Sequence, residues 1–391
     1  MTPKTLQTAL VHSEYAPPAG FSALPPAIHH ASTVLFESVA ALRGHVHDWS
    51  DKSSYTYGLK GTPTTYELEA RLAEIEGGTL CLVTPSGLAA ITLVDMALLA
   101  TGDDVLLPDN VYGPSRELGS WLQARLGVTA RFYDPLIGSG LAGMIRPTTR
   151  LVWVEAPGSV SMEVPDVPAL TRAAHAHGAL VAMDNTWSAG LAFQPFAHGV
   201  DISIQALTKY QSGGSDVLMG AVITRDAELA RRLGAVHHLL GYGVGKDDAY
   251  LVLRSLPSLK LRFEAHDRGA RQVAAWLKER PEIVRLLHPA FPDCPGHESW
   301  KRDFTGAGGV FSVLFAPRFT EAQIDAFIDG LELFKIGYSW GGAVSLCLPY
   351  RMADMRERWE AKGTLVRFHI GLEDPQDLIE DIRRSLSVNL G

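Results

Sequence analysis

Ala179-Leu-Val-Ala-Met-Asp184-Asn-Thr-Trp187 and, farther on, Asp201-Ile-Ser-Ile-Gln-Ala-Leu-Thr-Lys209-Tyr210 decide how this chain is read. Each is read as an apolar strand that ends in a charged residue, Asp184 in the first and Lys209 in the second. Continuous apolar character marks strands covered on both faces, as in a parallel sheet sandwiched by helices. Ligands bind such sheets where the strands end. Outward from the pair the chain alternates in the same way. A helix pattern near 87–100 leads to the strand Asp104-Val-Leu-Leu-Pro108, and the strand Arg150-Leu-Val-Trp-Val154 is followed by a helix at about 167–177 that stops at Gly178. Earlier, Thr64 to Glu67 reads as a capping box, Leu68, Leu72 and Ile75 mark one helical face, and Gly77-Gly78 ends that helix. From 246 a long helical region, broken by Pro257, runs to about Glu279, and the remainder mixes short strands and helices. The expected fold class is α/β: a mostly parallel sheet covered by helices, plus a smaller C-terminal α+β domain. The expected division is an irregular arm over 1–60 that docks on a neighbouring subunit, a cofactor domain over 61–245 and a C-terminal domain over 246–391.

Composition excludes several classes of function. The 391 residues are 46% hydrophobic with 37 Gly, enough for a sizeable core. A net charge of −8 with no basic run argues against nucleic acid as a partner. Cys81, Cys294 and Cys347 are odd in number and widely spaced, which suggests buried thiols in a reducing compartment and neither a disulfide framework nor a zinc site. The opening Met-Thr-Pro-Lys-Thr-Leu-Gln lacks the apolar core of a signal peptide. The apolar stretch from Leu88 to Ala100 is too short to span a bilayer and is interrupted by Asp95. The expectation is a cytoplasmic enzyme of small molecules, with no membrane partner.

Four further constellations carry chemistry. Thr84-Pro-Ser-Gly87-Leu88-Ala89 sits where a loop opens a helix, and backbone N–H groups there bind phosphate, although an ordinary Pro-Ser-Gly turn reads the same way. Thr208 can add a hydroxyl to that phosphate. Tyr112, in Asp109-Asn-Val-Tyr-Gly-Pro-Ser115, is placed either to stack on a planar cofactor or to fill core. Arg367, in Gly363-Thr-Leu-Val-Arg-Phe-His-Ile-Gly-Leu-Glu-Asp374, suits a carboxylate bidentately, or else an internal salt bridge with Glu373 or Asp374. Alone, Asp184 reads as a turn cap and Lys209 as a surface lysine. Together, in this order and with these loops, they supply a carboxylate for a pyridine nitrogen and an amine for an aldehyde, the pair that pyridoxal phosphate requires. Gly306-Ala-Gly-Gly309 is no dinucleotide loop, because Phe311 stands at the last glycine of that fingerprint. His175, His177 and the pair His237-His238 lack metal-site spacing and read as solvated or capping residues.

Taken together, these residues resemble the cysteine/methionine-metabolism family of pyridoxal phosphate enzymes, from Tyr57-Gly58 to Gly371-Leu-Glu-Asp374. The resemblance implies the fold-type-I, aspartate aminotransferase-like architecture, assembled as a homotetramer of two catalytic dimers. It makes Lys209 the lysine that bonds pyridoxal 5'-phosphate and Asp184 the partner of the ring nitrogen. It also makes Tyr112 the stacking tyrosine, Gly87 and Leu88 the phosphate-binding amides with Thr208 beside them, and Arg367 the grip on the substrate carboxylate. Tyr57 becomes a phosphate ligand donated by the neighbouring subunit.

Within the family, Gly337-Tyr338-Ser339-Trp340-Gly341-Gly342 resembles the β-lyase branch, where the γ branches read Glu-Ser-Leu-Gly-Gly. Glu155-Ala-Pro-Gly-Ser159 with Met162-Glu-Val164 resembles the same branch. That branch implies a carbon–sulfur lyase of methionine biosynthesis acting on an amino-acid thioether. Cystathionine would be cleaved to homocysteine, pyruvate and ammonia, with Tyr338, Ser339 and Trp340 beside the substrate and Ser339 orienting Lys209. The rivals are a cysteine desulfhydrase, a broader cysteine-S-conjugate β-lyase and a γ-branch enzyme. Two departures stand out. Tyr57-Gly58-Leu59-Lys60 replaces the common Tyr-Gly-Arg: Leu59 cannot bind phosphate, and Lys60, one position on, either turns inward to replace that ligand or does not. Val344 replaces a common glutamate, and nothing physical explains it.

Overall fold

In the computed structural model, residues 6–11, 20, 23–45, 51–356 and 359–390 are described, and Pro17-Pro18 of the expected arm lies outside them. Seven strands form the larger sheet: β1 (Leu80–Thr84), β2 (Asp104–Pro108), β3 (Thr129–Tyr133), β4 (Thr149–Glu155), β5 (Leu180–Asp184), β6 (Ile202–Gln205) and β7 (Gly220–Thr224). Their order is β1-β7-β6-β5-β4-β2-β3, and only β7 runs against its neighbours. A second sheet is antiparallel throughout, in the order β10-β11-β9-β8, from β8 (Ile283–Leu287), β9 (Val310–Phe315), β10 (Leu346–Tyr350) and β11 (Leu365–His369).

The helices are α1 (Leu6–Val11), α2 (Val39–Gly44), α3 (Pro63–Glu76), α4 (Gly87–Leu98), α5 (Gly113–Leu126), α6 (Val167–His175), α7 (Ala227–Leu239), α8 (Lys246–Ser255), α9 (Leu259–Lys278), α10 (His297–Asp303), α11 (Glu321–Asp329) and α12 (Pro375–Asn389). Alternation along the strands sends side chains into two separate cores. Val152, Val154, Val181 and Met183 pack into one, whereas Leu151, Trp153, Ala182 and Ile202 pack into the other. Each buried valine, leucine, isoleucine or methionine among them contributes about 1.5–3 kcal/mol by leaving water, which is why the strands read as unbroken apolar runs. A third core, with Phe311, Phe315, Phe327 and Phe368, joins the smaller sheet to α9, α11 and α12.

Three local readings are corrected. The capping box lies two residues earlier: Thr62 is the N-cap and its N–H donates to Thr65 Oγ1 at 2.9 Å. Pro63, with its fixed φ and missing donor, starts the helix there. Thr64 instead accepts from the His29 N–H at 2.8 Å and donates to Ala27 O at 3.1 Å, tying the N-terminal segment to α3. Lys209 does not end a strand, because β6 stops at Gln205. The Ala206 N–H leaves the ladder for Thr186 Oγ1 at 2.9 Å, and Lys209 follows in a turn closed by its own N–H on Ala206 O at 3.0 Å. His237 is neither solvated nor capping: it is buried on the inner face of α7 with Nε2 2.8 Å from Val83 O.

Candidate active site

A cavity of about 1240 Å³ lies at the carboxyl ends of β4 and β5, between the two sheets. Its walls include Gly87, Leu88, Tyr112, Asp184, Thr208, Lys209, Tyr338, Ser339, Trp340 and Arg367, so ten of the expected site residues meet there. Tyr57 is not among them. It is half exposed and bridges Thr33 away from the cavity.

The floor is built by strand ends. The β4–β5 register sets Glu155 beside Asp184, two carboxyls on adjacent parallel strands facing the same way. Asp184 Oδ1 accepts the Thr186 N–H at 3.0 Å. Enclosure by the protein raises the Asp184 carboxyl above the usual range, opposed by the Thr186 hydrogen bonds and the Lys209 charge. Burial pushes Glu155 up to about 8, with the Asp184 charge adding to it. Glu155 also accepts the Tyr112 N–H at 2.8 Å and the Ser159 hydroxyl at 2.6 Å, which fixes where α5 begins and leaves the Tyr112 ring 42% exposed over the cavity. Sequence reasoning passed over Glu155 as a site residue. Its signals were its position after an apolar strand and its place at the head of Glu155-Ala-Pro-Gly-Ser159.

Lys209 donates to Ser339 Oγ at 2.6 Å, and its ammonium lies 5.3 Å from the centre of the Trp340 ring. Burial and the Arg367 charge bring its amine down to about 8, with Asp184 pulling the other way. Ser339 holds a left-handed φ of +90°, a conformation a serine rarely adopts unless its surroundings impose it. Next to it, Gly341 has φ +87°, and a Cβ there would come within 2.9 Å of Tyr210 N and 3.0 Å of Lys209 C. Arg367 is 9% exposed; its Nη2 donates to Ser339 O at 3.1 Å and its guanidinium lies 5.1 Å from the centre of the Tyr350 ring. The internal salt bridge does not form. Glu373 accepts from Ser345 N–H and Oγ–H at 2.8 and 2.9 Å, and Asp374 caps α12 at the Gln376 N–H. Among the described residues Arg367 pairs with no carboxylate, so a buried cation faces the cavity ready for an anion.

The residues fit pyridoxal phosphate. Gly87 and Leu88 open α4, where an α-helix leaves its first N–H groups without helical partners. A Cβ on Gly87 would come 2.7 Å from Ala206 Cβ, so only glycine keeps this approach open. Ser86 accepts the Ala89 N–H at 3.0 Å and lines the cavity, where its hydroxyl can donate to an anion, a donor that sequence reasoning missed. Thr208 is less available than expected, since its hydroxyl donates to Met219 O at 3.2 Å and accepts the Met219 N–H at 3.1 Å. A carboxyl for a ring nitrogen, an amine for an aldehyde and a helix N-terminus for a phosphate converge on one cavity.

Fold and cavity together define a fold-type-I, pyridoxal phosphate-dependent enzyme. The chain belongs to the Cys/Met metabolism PLP-dependent enzyme family, which it matches over residues 7–387. It is 41% identical to cystathionine beta-lyase of Bordetella avium, over 98% of each chain. It is 38% identical to cystathionine beta-lyase of Escherichia coli strain K12, again over 98% of each. Among solved structures it resembles cystathionine gamma synthase from Xanthomonas oryzae pv. oryzae in complex with aminoacrylate and cysteine: TM-score 0.90, 31% identity, 99% of this chain and 98% of that one.

Proposed function

We propose that the chain cleaves the Cβ–S bond of L-cystathionine, a carbon–sulfur lyase reaction that releases homocysteine, pyruvate and ammonia. The observation that carries this is the Lys209–Ser339 contact in a cavity shared with Asp184 and Arg367. When bound, pyridoxal phosphate supplies the electron sink for elimination. Gly87 and Leu88 N–H groups and the Ser86 hydroxyl, with Thr208 beside them, would hold its phosphate; Asp184 would keep its ring nitrogen protonated, and Tyr112 would stack on the ring. Arg367 grips the α-carboxylate of the substrate with its planar fork. Lys209, with an amine already brought down toward neutral pH, would take the Cα proton and then return a proton to the departing sulfur. Ser339 aims that amine. Homocysteine would leave with the sulfur, and water would convert the remaining three-carbon fragment to pyruvate and ammonia.

Tyr338 and Trp340 favour β- over γ-chemistry, because they put no acid where the γ branches carry a glutamate. The active assembly is a homotetramer of two catalytic dimers, in the cytoplasm, with Tyr57 completing the partner's phosphate site. Tyr57's place outside its own cavity supports that reading. The arm covers 1–60, the cofactor domain 61–245 and the C-terminal domain 246–391. The test is release of pyruvate and thiol from L-cystathionine, compared with L-cysteine and S-alkylcysteines. Turnover of cysteine with none of cystathionine would replace this reading by a desulfhydrase.

A further inference from the structure

The segment Ser339–Gly342 is strained at one end and has to be held. Three contacts hold it, and two come from alternate residues on the same face of β11. Arg367 donates to Ser339 O at 3.1 Å. His369, fully buried, has Nε2 3.1 Å from Gly341 N and 3.0 Å from Gly342 O. The third contact is Lys209 on Ser339 Oγ at 2.6 Å. The Gly341 backbone meanwhile lies flat on Lys209 and Tyr210, leaving no room for a Cβ. The turn is thus pressed between the lysine on one side and β11 on the other.

We propose that His369 is a positioning residue that sets the aim of the Lys209 amine by clamping the Ser339–Gly342 turn onto β11. The inference rests on the roles given above to Lys209 and Ser339. The ring can do this in either neutral tautomer: protonated at Nε2 it donates to Gly342 O, and protonated at Nδ1 it accepts the Gly341 N–H through Nε2. Burial, with the neighbouring His266 ring 5.3 Å away, pushes His369 down to about 3, so it is uncharged wherever the enzyme works. His266 is itself fixed, with Nδ1 2.7 Å from Ile370 O, so the His369 ring is packed from behind. Arg367 fixes only the Ser339 carbonyl. Without His369 the Gly341–Gly342 half of the turn loses its side-chain anchor, and the φ +90° at Ser339 loses part of what imposes it.

The test is a double-mutant cycle on the holoenzyme with His369→Phe, Ser339→Ala and the pair, measuring kcat, KM, bound cofactor per chain and the rate at which borohydride fixes a pyridoxyl label on Lys209. Misplacement of a reacting group by about an ångström costs up to about a hundredfold in rate. His369→Phe is therefore expected to lower kcat per bound cofactor by about tenfold or more, with KM changed less than about threefold. Because His369 acts through Ser339, the double variant should be no slower than Ser339→Ala alone. Additive losses, an unchanged kcat, or a fall in cofactor content with kcat per cofactor intact would overturn the proposal. If His369→Phe does not fold, the same cycle is run with His369→Gln, which keeps a donor and an acceptor; a smaller but still non-additive loss is expected, and additivity again counts against it. Labelling of Lys209 needs no substrate, so altered labelling in the variant with no cystathionine turnover by wild type would sink the substrate assignment and leave this inference standing.

Discussion

At the scale of the residue, the site is a matter of where charge is left unpaired. Lys209 has an alcohol for a partner and Arg367 a carbonyl and a ring, while Asp184 sits beside a second carboxyl that burial holds at about 8. Each is held short of a full ion pair in the cavity, an arrangement that suits an anionic, aldehyde-bearing guest. Replacing Lys209 with Ala is expected to abolish turnover. The check is borohydride reduction of wild type followed by peptide mapping, where a pyridoxyl label on any other lysine overturns the assignment. Arg367→Lys is expected to act differently. A point charge replaces a planar fork, and the lost interaction is held equally in ground and transition states, so KM for the amino acid should rise about tenfold or more while kcat stays within about threefold. A variant with unaltered KM and lowered kcat would show that Arg367 serves Ser339 and not the substrate.

At the scale of the element, β2 and the end of β5 at Asp184 were legible, and the end of β6 was not. β2, β4 and β5 announce themselves because burial on both faces demands apolar residues at every position, and α4, α6, α8 and α9 because their breakers, Pro257 and Gly178 among them, are covalent facts of the sequence. Lys209 was read as a strand end, yet a single side chain far along the chain, Thr186, takes the Ala206 N–H and stops β6 four residues sooner. No periodicity carries that information. Glu155 was missed for the same reason: its meaning lies in register with Asp184 across a parallel pair, not in its neighbours along the chain.

A second long-range pin gives a prediction at this scale. Asp95, on α4, is buried and accepts the Trp153 indole N–H of β4 at 2.8 Å; burial pushes its carboxyl from 3.8 up to about 7. In the unfolded chain it ionises near 3.8, so between about pH 4 and 7 the folded state holds a proton the unfolded state has released. The stability this group contributes is complete below about pH 4 and is lost as pH rises through 7, at most about 4 kcal/mol in all. Asp95→Asn keeps an acceptor for Trp153 and cannot ionise. Urea midpoints measured from pH 5 to 8 should therefore fall less steeply in the variant than in wild type. Parallel curves would mean that Asp95 is ionised in the folded state across the whole range.

At the scale of the whole molecule, one chain brings all but one of the expected site residues to a single cavity. Nine of the expected ligands and Ser339 line a single cavity, while Tyr57 lies outside it, held by a bridge to Thr33 and by the Gly58 N–H on Ser32 O at 2.8 Å. Leu59 points a methyl at Gly243 and supplies no charge. If the phosphate site is completed from the partner, Tyr57 should matter more here than where a second cation backs it up, and Tyr57→Ala should weaken cofactor binding and activity at limiting pyridoxal phosphate. Lys209→Ala and Tyr57→Ala chains, each inactive under that condition, can then be mixed and allowed to exchange. In a hybrid isologous dimer one site receives both intact residues and the other receives neither. Random exchange of equal amounts gives about half hybrids with one good site in two, so activity should return to about a quarter of wild type. Failure to recover any activity while mass measurements show hybrids present, or full activity in a stable monomer, would mean that each chain completes its own site.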